Sequence, residues 1–151
     1  MARSVAGSRR AVWLIMTFVL DTNVFAALCQ PRPLRGVERA FTKHASEIMT
    51  ASIVVHEMCF GIARMVRSRR RSELERFMTE IVGGVTVLAY DERAARWHAL
   101  ERARLAAAGR PIDLADGQIA AIAAVHDATL VTANVAHFAG FEGLRVENWE
   151  A

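Results

Sequence analysis

Met16-Thr-Phe-Val-Leu-Asp-Thr-Asn23 is the stretch on which the fold turns. Its apolar run, in which Val19 and Leu20 suit a buried strand, ends abruptly in Asp21, and an apolar helical pattern follows Asn23. Asp21 is therefore the first polar side chain at the strand's carboxyl end. In open parallel α/β sheets that edge is where ligands bind. Asp, Thr and Asn all cap helices well, so Asp21 is either an N-cap or part of a metal or phosphate site. Thr22 or Asn23 can cap the helix without it. The second reading therefore stands only if other acids converge on Asp21.

Outward from that stretch, strands and helices alternate. Residues 17–21 form the first expected strand and residues 23–29 the first helix, and Pro31 and Pro33 break the chain before a second helix from about Leu34 to His44. Ile48-Met-Thr50 reads as a short strand. Ser52 suits the N-cap of a long helix reaching about Val66, with Glu57, Gly61 and Arg64 as its polar stripe. Arg67-Ser-Arg-Arg-Arg71 reads as a basic, turn-like link, and Ser72 opens a helix to about Ile81 that Gly83-Gly84 breaks. Val85-Thr-Val-Leu88 is a strand. Asp91 caps a helix ending near Gly109, and a loop through Pro111 and Asp113 leads into an Ala- and Ile-rich helix to about His126. Thr129-Leu-Val-Thr132 and Leu144-Arg-Val-Glu147 are the last strands. The expected class is α/β: a mostly parallel central sheet flanked by helices in three layers.

The 151 residues make one domain by length, expected from Met16 to Ala151, with residues 1–15 a disordered extension. Hydrophobic residues, at 53%, supply a core. A net charge of +3 and a pI near 9.5 suit a nucleic-acid partner without requiring one. Lys43 is the only lysine among 19 basic residues, and the densest basic run, Arg64 to Arg76, is either a solvated turn or a phosphate-tracking patch. Cys29 and Cys59 are too few and too isolated for a zinc site or a disulfide framework, which points to a reducing cytoplasm. Arg9-Arg10 and the apolar residues after them resemble the start of a signal peptide. No small-residue cleavage site follows, and the run is too short to span a bilayer, so no membrane association is expected.

Metal-dependent phosphodiester hydrolysis needs hard oxygen ligands meeting at one cleft. Besides Asp21, Glu57 stands early in a helix that follows a strand, in a largely apolar setting where an unpaired acid is rare; the alternative is a solvated stripe pairing it with Arg64. Asp116 lies in the first turn of its helix, where the dipole alone favours an acid. Asp113 is the expected N-cap there, leaving Asp116 without a capping role; the alternative is that the two act together. Asn134 and Thr132 stand over the same sheet edge, where Asn134 can orient a water or serve as an ordinary turn residue. Asp91 and Asp127 read as structural. The five histidines show no metal-ligand spacing.

Four segments in this order carry a resemblance: Val19-Leu-Asp-Thr-Asn-Val24, Ser52-Ile-Val-Val-His-Glu57, Ala115-Asp-Gly-Gln-Ile-Ala-Ala121 and Leu130-Val-Thr-Ala-Asn-Val-Ala-His-Phe138. Together they resemble the PIN-domain proteins, and more narrowly the VapC/FitB-like toxins of type II toxin–antitoxin pairs, from about Thr17 to Trp149. The resemblance implies a Rossmann-like fold. It also implies an endoribonuclease that cuts tRNA or ribosomal RNA with water activated by Mg2+ or Mn2+. Asp21, Glu57 and Asp116 match the family's acidic metal-binding core, and Asn134 falls where many relatives carry Asp. Further implications are a homodimer and a cognate antitoxin that blocks the site and alone contacts promoter DNA. The alternative is a PIN-like scaffold that binds antitoxin or RNA without cleavage. A phosphatase using Asp21 as nucleophile would want a second Asp two residues on, where Asn23 stands. A receiver-type domain would want a lysine at a late strand end, and Lys43 lies in a helix.

Overall fold

The computed structural model describes residues 15–150; of the extension expected over residues 1–15, residues 1–14 lie outside them. Five strands form one sheet: β1 (Phe18–Leu20), β2 (Ile48–Ala51), β3 (Thr86–Leu88), β4 (Thr129–Val131) and β5 (Arg145–Glu147). Their spatial order is β3-β2-β1-β4-β5, and every pairing is parallel. The chain winds outward from β1 to β3 on one side and returns through β4 to β5 on the other. The order therefore reverses between β1 and β4. In doubly wound sheets that reversal opens a crevice outside the carboxyl ends of the two strands.

The helices are α1 (Thr22–Leu28), α2 (Arg35–Lys43), α3 (Ser52–Ala63), α4 (Arg69–Glu80), α5 (Glu92–Ala107), α6 (Leu114–Val125) and α7 (Val135–Phe138). The central strands β1 and β4 are buried along their whole length, as near-continuous apolar runs in a parallel sheet must be. α6 buries every residue from Ile119 to Ala123; a helix apolar on all sides belongs in the interior, and this one lies against α5, β2 and β4. Thr50 ties β2 to β1 by donating its hydroxyl to the Leu20 carbonyl at 2.8 Å. Among the described residues no helix is long and apolar enough to cross a membrane. Cys29 and Cys59 are free thiols, and burial pushes Cys29 up to about 11, which keeps it protonated near neutral pH.

Four local expectations change. Ser52 is the first helical residue of α3, not its cap; Ala51 holds the cap position with no side-chain bond, and α3 ends at Ala63 rather than near Val66. The basic run is not a link: Ser68 caps α4 by accepting from the Arg71 amide, so Arg69, Arg70 and Arg71 form its first turn. Arg69–Glu73 and Arg71–Glu75, each one helical turn apart, extend the helix backward through i,i+4 pairing. The short helix α7 was not expected. Asp91 and Asp113 do cap α5 and α6, each accepting backbone N–H bonds.

Candidate active site

Asp21 leaves β1 with its backbone amide bonded to the Val131 carbonyl of β4 at 2.9 Å, so it sits at the point where the strand order reverses. It is buried, at 6% exposure. One of its oxygens accepts the Thr22 amide at 2.8 Å and so caps α1. Neither Thr22 nor Asn23 performs that task, contrary to the sequence reading, because both side chains are used elsewhere. The other Asp21 oxygen accepts the Thr132 hydroxyl at 2.8 Å and the Asn23 amide at 3.3 Å. Asn23 also donates to the Thr132 oxygen at 3.1 Å and accepts from the Ala133 amide at 2.9 Å, stitching the end of β1 to the end of β4. Asp21 is therefore both the cap of α1 and an acceptor for the side chains that join β1 to β4.

Glu57 reaches the same edge from α3 and accepts a short hydrogen bond from the Thr22 hydroxyl. Its expected alternative partner, Arg64, instead lies over the Phe60 ring, 4.9 Å from the centroid. Asp116 enters from the first turn of α6. Burial foremost, then the negative charges of Asp21 and Asp113, and lastly that of Glu57, raise its proton affinity above the ordinary carboxylate value, while His137 opposes the rise. Asp116 thus shares a field with Asp21 and Glu57, although the three lie on different elements. Asn134 is less engaged. It is exposed and precedes α7, and its tie to the cluster is a backbone one, its amide donating to the Thr132 oxygen at 3.1 Å. Sequence reasoning missed His137, whose Nδ1 stands 3.5 Å from an Asp116 oxygen. Its signal was position, one turn beyond Asn134 in the final motif.

The donors are carboxylate, hydroxyl and amide oxygens, which suit magnesium or manganese and not a soft metal. Among the described residues no three acidic, histidine or cysteine side chains stand ready-clustered around one ion. Glu57 accepts from the Thr22 hydroxyl and one Asp21 oxygen accepts from Thr132. Magnesium keeps several waters and takes one or two protein carboxylates, so the donor set fits it without a closed cage.

Residues 18–140 match the family model of the PIN domain. The chain belongs to the PIN-domain family. The tRNA(fMet)-specific endonuclease VapC of Shigella flexneri is 31% identical over 136 residues, spanning 89% of this chain and 99% of that relative. The structure of FitAB bound to an IR36 DNA fragment matches with a TM-score of 0.81 at 27% identity, over 89% of this chain and 96% of the other. DNA-bound VapBC from Salmonella typhimurium gives a TM-score of 0.79 at 28% identity, over 89% and 98% of the two chains. This PIN domain therefore falls among the VapC/FitB-like proteins.

The shift at Asp116 carries a consequence for stability. Its folded pKa lies above its unfolded one, near 3.8, so the folded state holds the proton more tightly. The stability this confers is complete below the unfolded value and is lost as pH rises through the folded one. Asp116→Asn removes that loss. In thermal scans without metal, the variant should melt above wild type at about pH 7, and the gap should close near pH 3.

Proposed function

We propose that this PIN domain is a Mg2+- or Mn2+-dependent endoribonuclease, the toxin of a type II toxin–antitoxin pair, acting on tRNA or ribosomal RNA in the cytoplasm. The support for this reading is that Asp21 stands at the β1–β4 crevice, that Glu57 accepts from Asp21's neighbour Thr22, and that the charges of both acids add, after burial, to the raised proton affinity of Asp116. Asp21, Glu57 and Asp116 would hold the ion, which when bound lowers the pKa of a water and offsets charge building on the phosphate. Thr132 and Asn23 fix the rotamer of Asp21, and Thr22 aims Glu57. Such hydrogen bonds keep ligand carboxylates from wandering. Asn134 and His137, exposed on the rim, are placed to contact water or a phosphate oxygen.

The basic run offers less to RNA than its sequence promised. Arg70 donates to the Cys29 carbonyl and Arg71 to the Met65 carbonyl, while Glu73 and Glu75 pair with Arg69, Arg70 and Arg71. Arg64 and Arg67 have no ion-pair partner among the described residues and are the cations we assign to the RNA backbone.

A groove of about 280 Å3 runs from Thr22 and Glu57 past Met58, Gly61, Ile62 and Leu74 to Arg70. An apolar channel ending at a carboxylate of the site supports an antitoxin segment as its occupant, by the groove-docking mode peptides commonly use. The FitAB and VapBC relatives were solved bound to DNA, and in this protein we assign DNA contact to the antitoxin alone. We also propose a homodimer, supported by the exposed Phe60 and Leu114, 54% and 51% accessible.

The test is incubation of purified protein with total tRNA and ribosomal RNA. Discrete fragments with Mn2+, abolished by a chelator, are expected. An intact RNA pool at saturating Mn2+ would instead favour the scaffold that binds without cutting.

A further inference from the structure

The inference rests on the reading of Asp116 as a ligand and concerns what holds it in place. α5 and α6 pack together, and at their crossing the buried His98 ring faces Gly117, the residue directly after Asp116. A Cβ added to Gly117 would lie 2.2 Å from His98 Nε2 and 2.8 Å from its Cδ2. The ring therefore occupies the space where any other residue at 117 would begin its side chain. It has little freedom to retreat, because the Tyr90 hydroxyl is 2.8 Å from His98 Nδ1 and the two rings meet edge to face. Tyr90 in turn precedes Asp91, whose side chain caps α5. The first turn of α6 is thus held from two sides. Asp113 accepts the amides of Ala115 and Asp116, and His98 abuts the backbone one residue later.

We propose that His98, anchored by Tyr90, is a positioning residue for Asp116: its contact with Gly117 fixes how closely the first turn of α6 approaches α5, and so where the Asp116 carboxylate stands relative to Asp21 and Glu57. A filler of the core would be replaceable at a cost in stability alone. A positioning residue must also change how the acids act together. The pair is fitted in size, a large ring against an absent side chain, so the two positions must be coupled.

Four proteins test this: wild type, Gly117→Ala, His98→Ala and Tyr90→Phe. Each is titrated calorimetrically with Mn2+ and scanned thermally. Gly117→Ala should weaken Mn2+ binding by about 10- to 100-fold, the range typical when support around a metal ligand is disturbed. His98→Ala removes the ring against which Gly117 rests and should weaken binding by about 10-fold as well as lower the melting midpoint, whereas loss of a filler would lower the midpoint alone. Tyr90→Phe keeps the ring's volume, frees His98, and should weaken binding by roughly 3- to 10-fold, with folding retained. Wild-type affinity in both Gly117→Ala and Tyr90→Phe overturns the proposal, as does wild-type affinity in a folded His98→Ala. Should Gly117→Ala not fold, Tyr90→Phe and His98→Ala decide: the proposal stands only if both are weakened. Absence of Mn2+ binding in wild type overturns the functional reading and this role with it, whereas binding that none of the variants alters overturns this role alone.

Discussion

Asp21→Asn should lower metal-dependent RNA cleavage by about 10³-fold, the scale of several kcal/mol of lost transition-state stabilisation. The substitution is chosen because it keeps the side chain's shape and removes its charge. Asparagine keeps an oxygen for the Thr22 amide, so the cap of α1 survives. What it loses is the negative charge, the only buried carboxylate of the cluster, at the strand-order reversal where β1 and β4 part. Its new amide would also face the Asn23 amide and the Thr132 hydroxyl, which now donate to Asp21. Fragment yield on gels, read beside circular dichroism to confirm folding, measures the effect. A variant that folds and still cuts within a few-fold of wild type would remove Asp21 from the chemistry.

Thr132→Val is the second large effect, and it strikes stability and activity together. The Thr132 hydroxyl is fully buried, donates to Asp21, and accepts from the Asn23 side chain and the Asn134 backbone amide. Valine matches its shape and leaves these three partners short of a bond, the Asp21 oxygen in a buried setting. Stranding buried polar groups costs about 2 kcal/mol, a drop in melting midpoint of roughly 4 to 8 °C for a chain of this size. Cleavage should fall by about 10- to 100-fold, because a ligand carboxylate loses its orienting partner. Thr132→Ser keeps the hydroxyl and should stay close to wild type in both. A valine variant that stays at wild type while the serine variant loses both would show that the methyl, not the hydroxyl, matters.

The fold was legible where chemistry is local. Apolar runs ending in polar residues marked the strands, and Asp91 and Asp113 announced their helices by capping. α4 was misplaced because Arg67 to Arg71 looks like a solvated turn until Ser68 is known to cap it and Glu73 and Glu75 to neutralise it. Asp21, Glu57 and Asp116 stand out by position, each just past a strand or in the first turns of a helix, and it is the family resemblance that joins them into one proposed site. Their support was not legible. That Asn23 spans β1 and β4, that Thr22 serves Glu57, that His137 nears Asp116 and that Gly117 is small because of His98 all depend on which strands lie side by side. No spacing within one segment records that arrangement. Asn134 shows the converse: chosen for its side chain, it joins the cluster through its backbone.

The central claim is that Asp21, Glu57 and Asp116 act as one cation site. Titration of Mn2+ into metal-free wild type, beside Asp21→Asn and Asp116→Asn, tests it most directly. Saturable binding in wild type that is lost in both folded variants is the predicted result. Binding of equal affinity in all three would place the ion elsewhere and contradict the account.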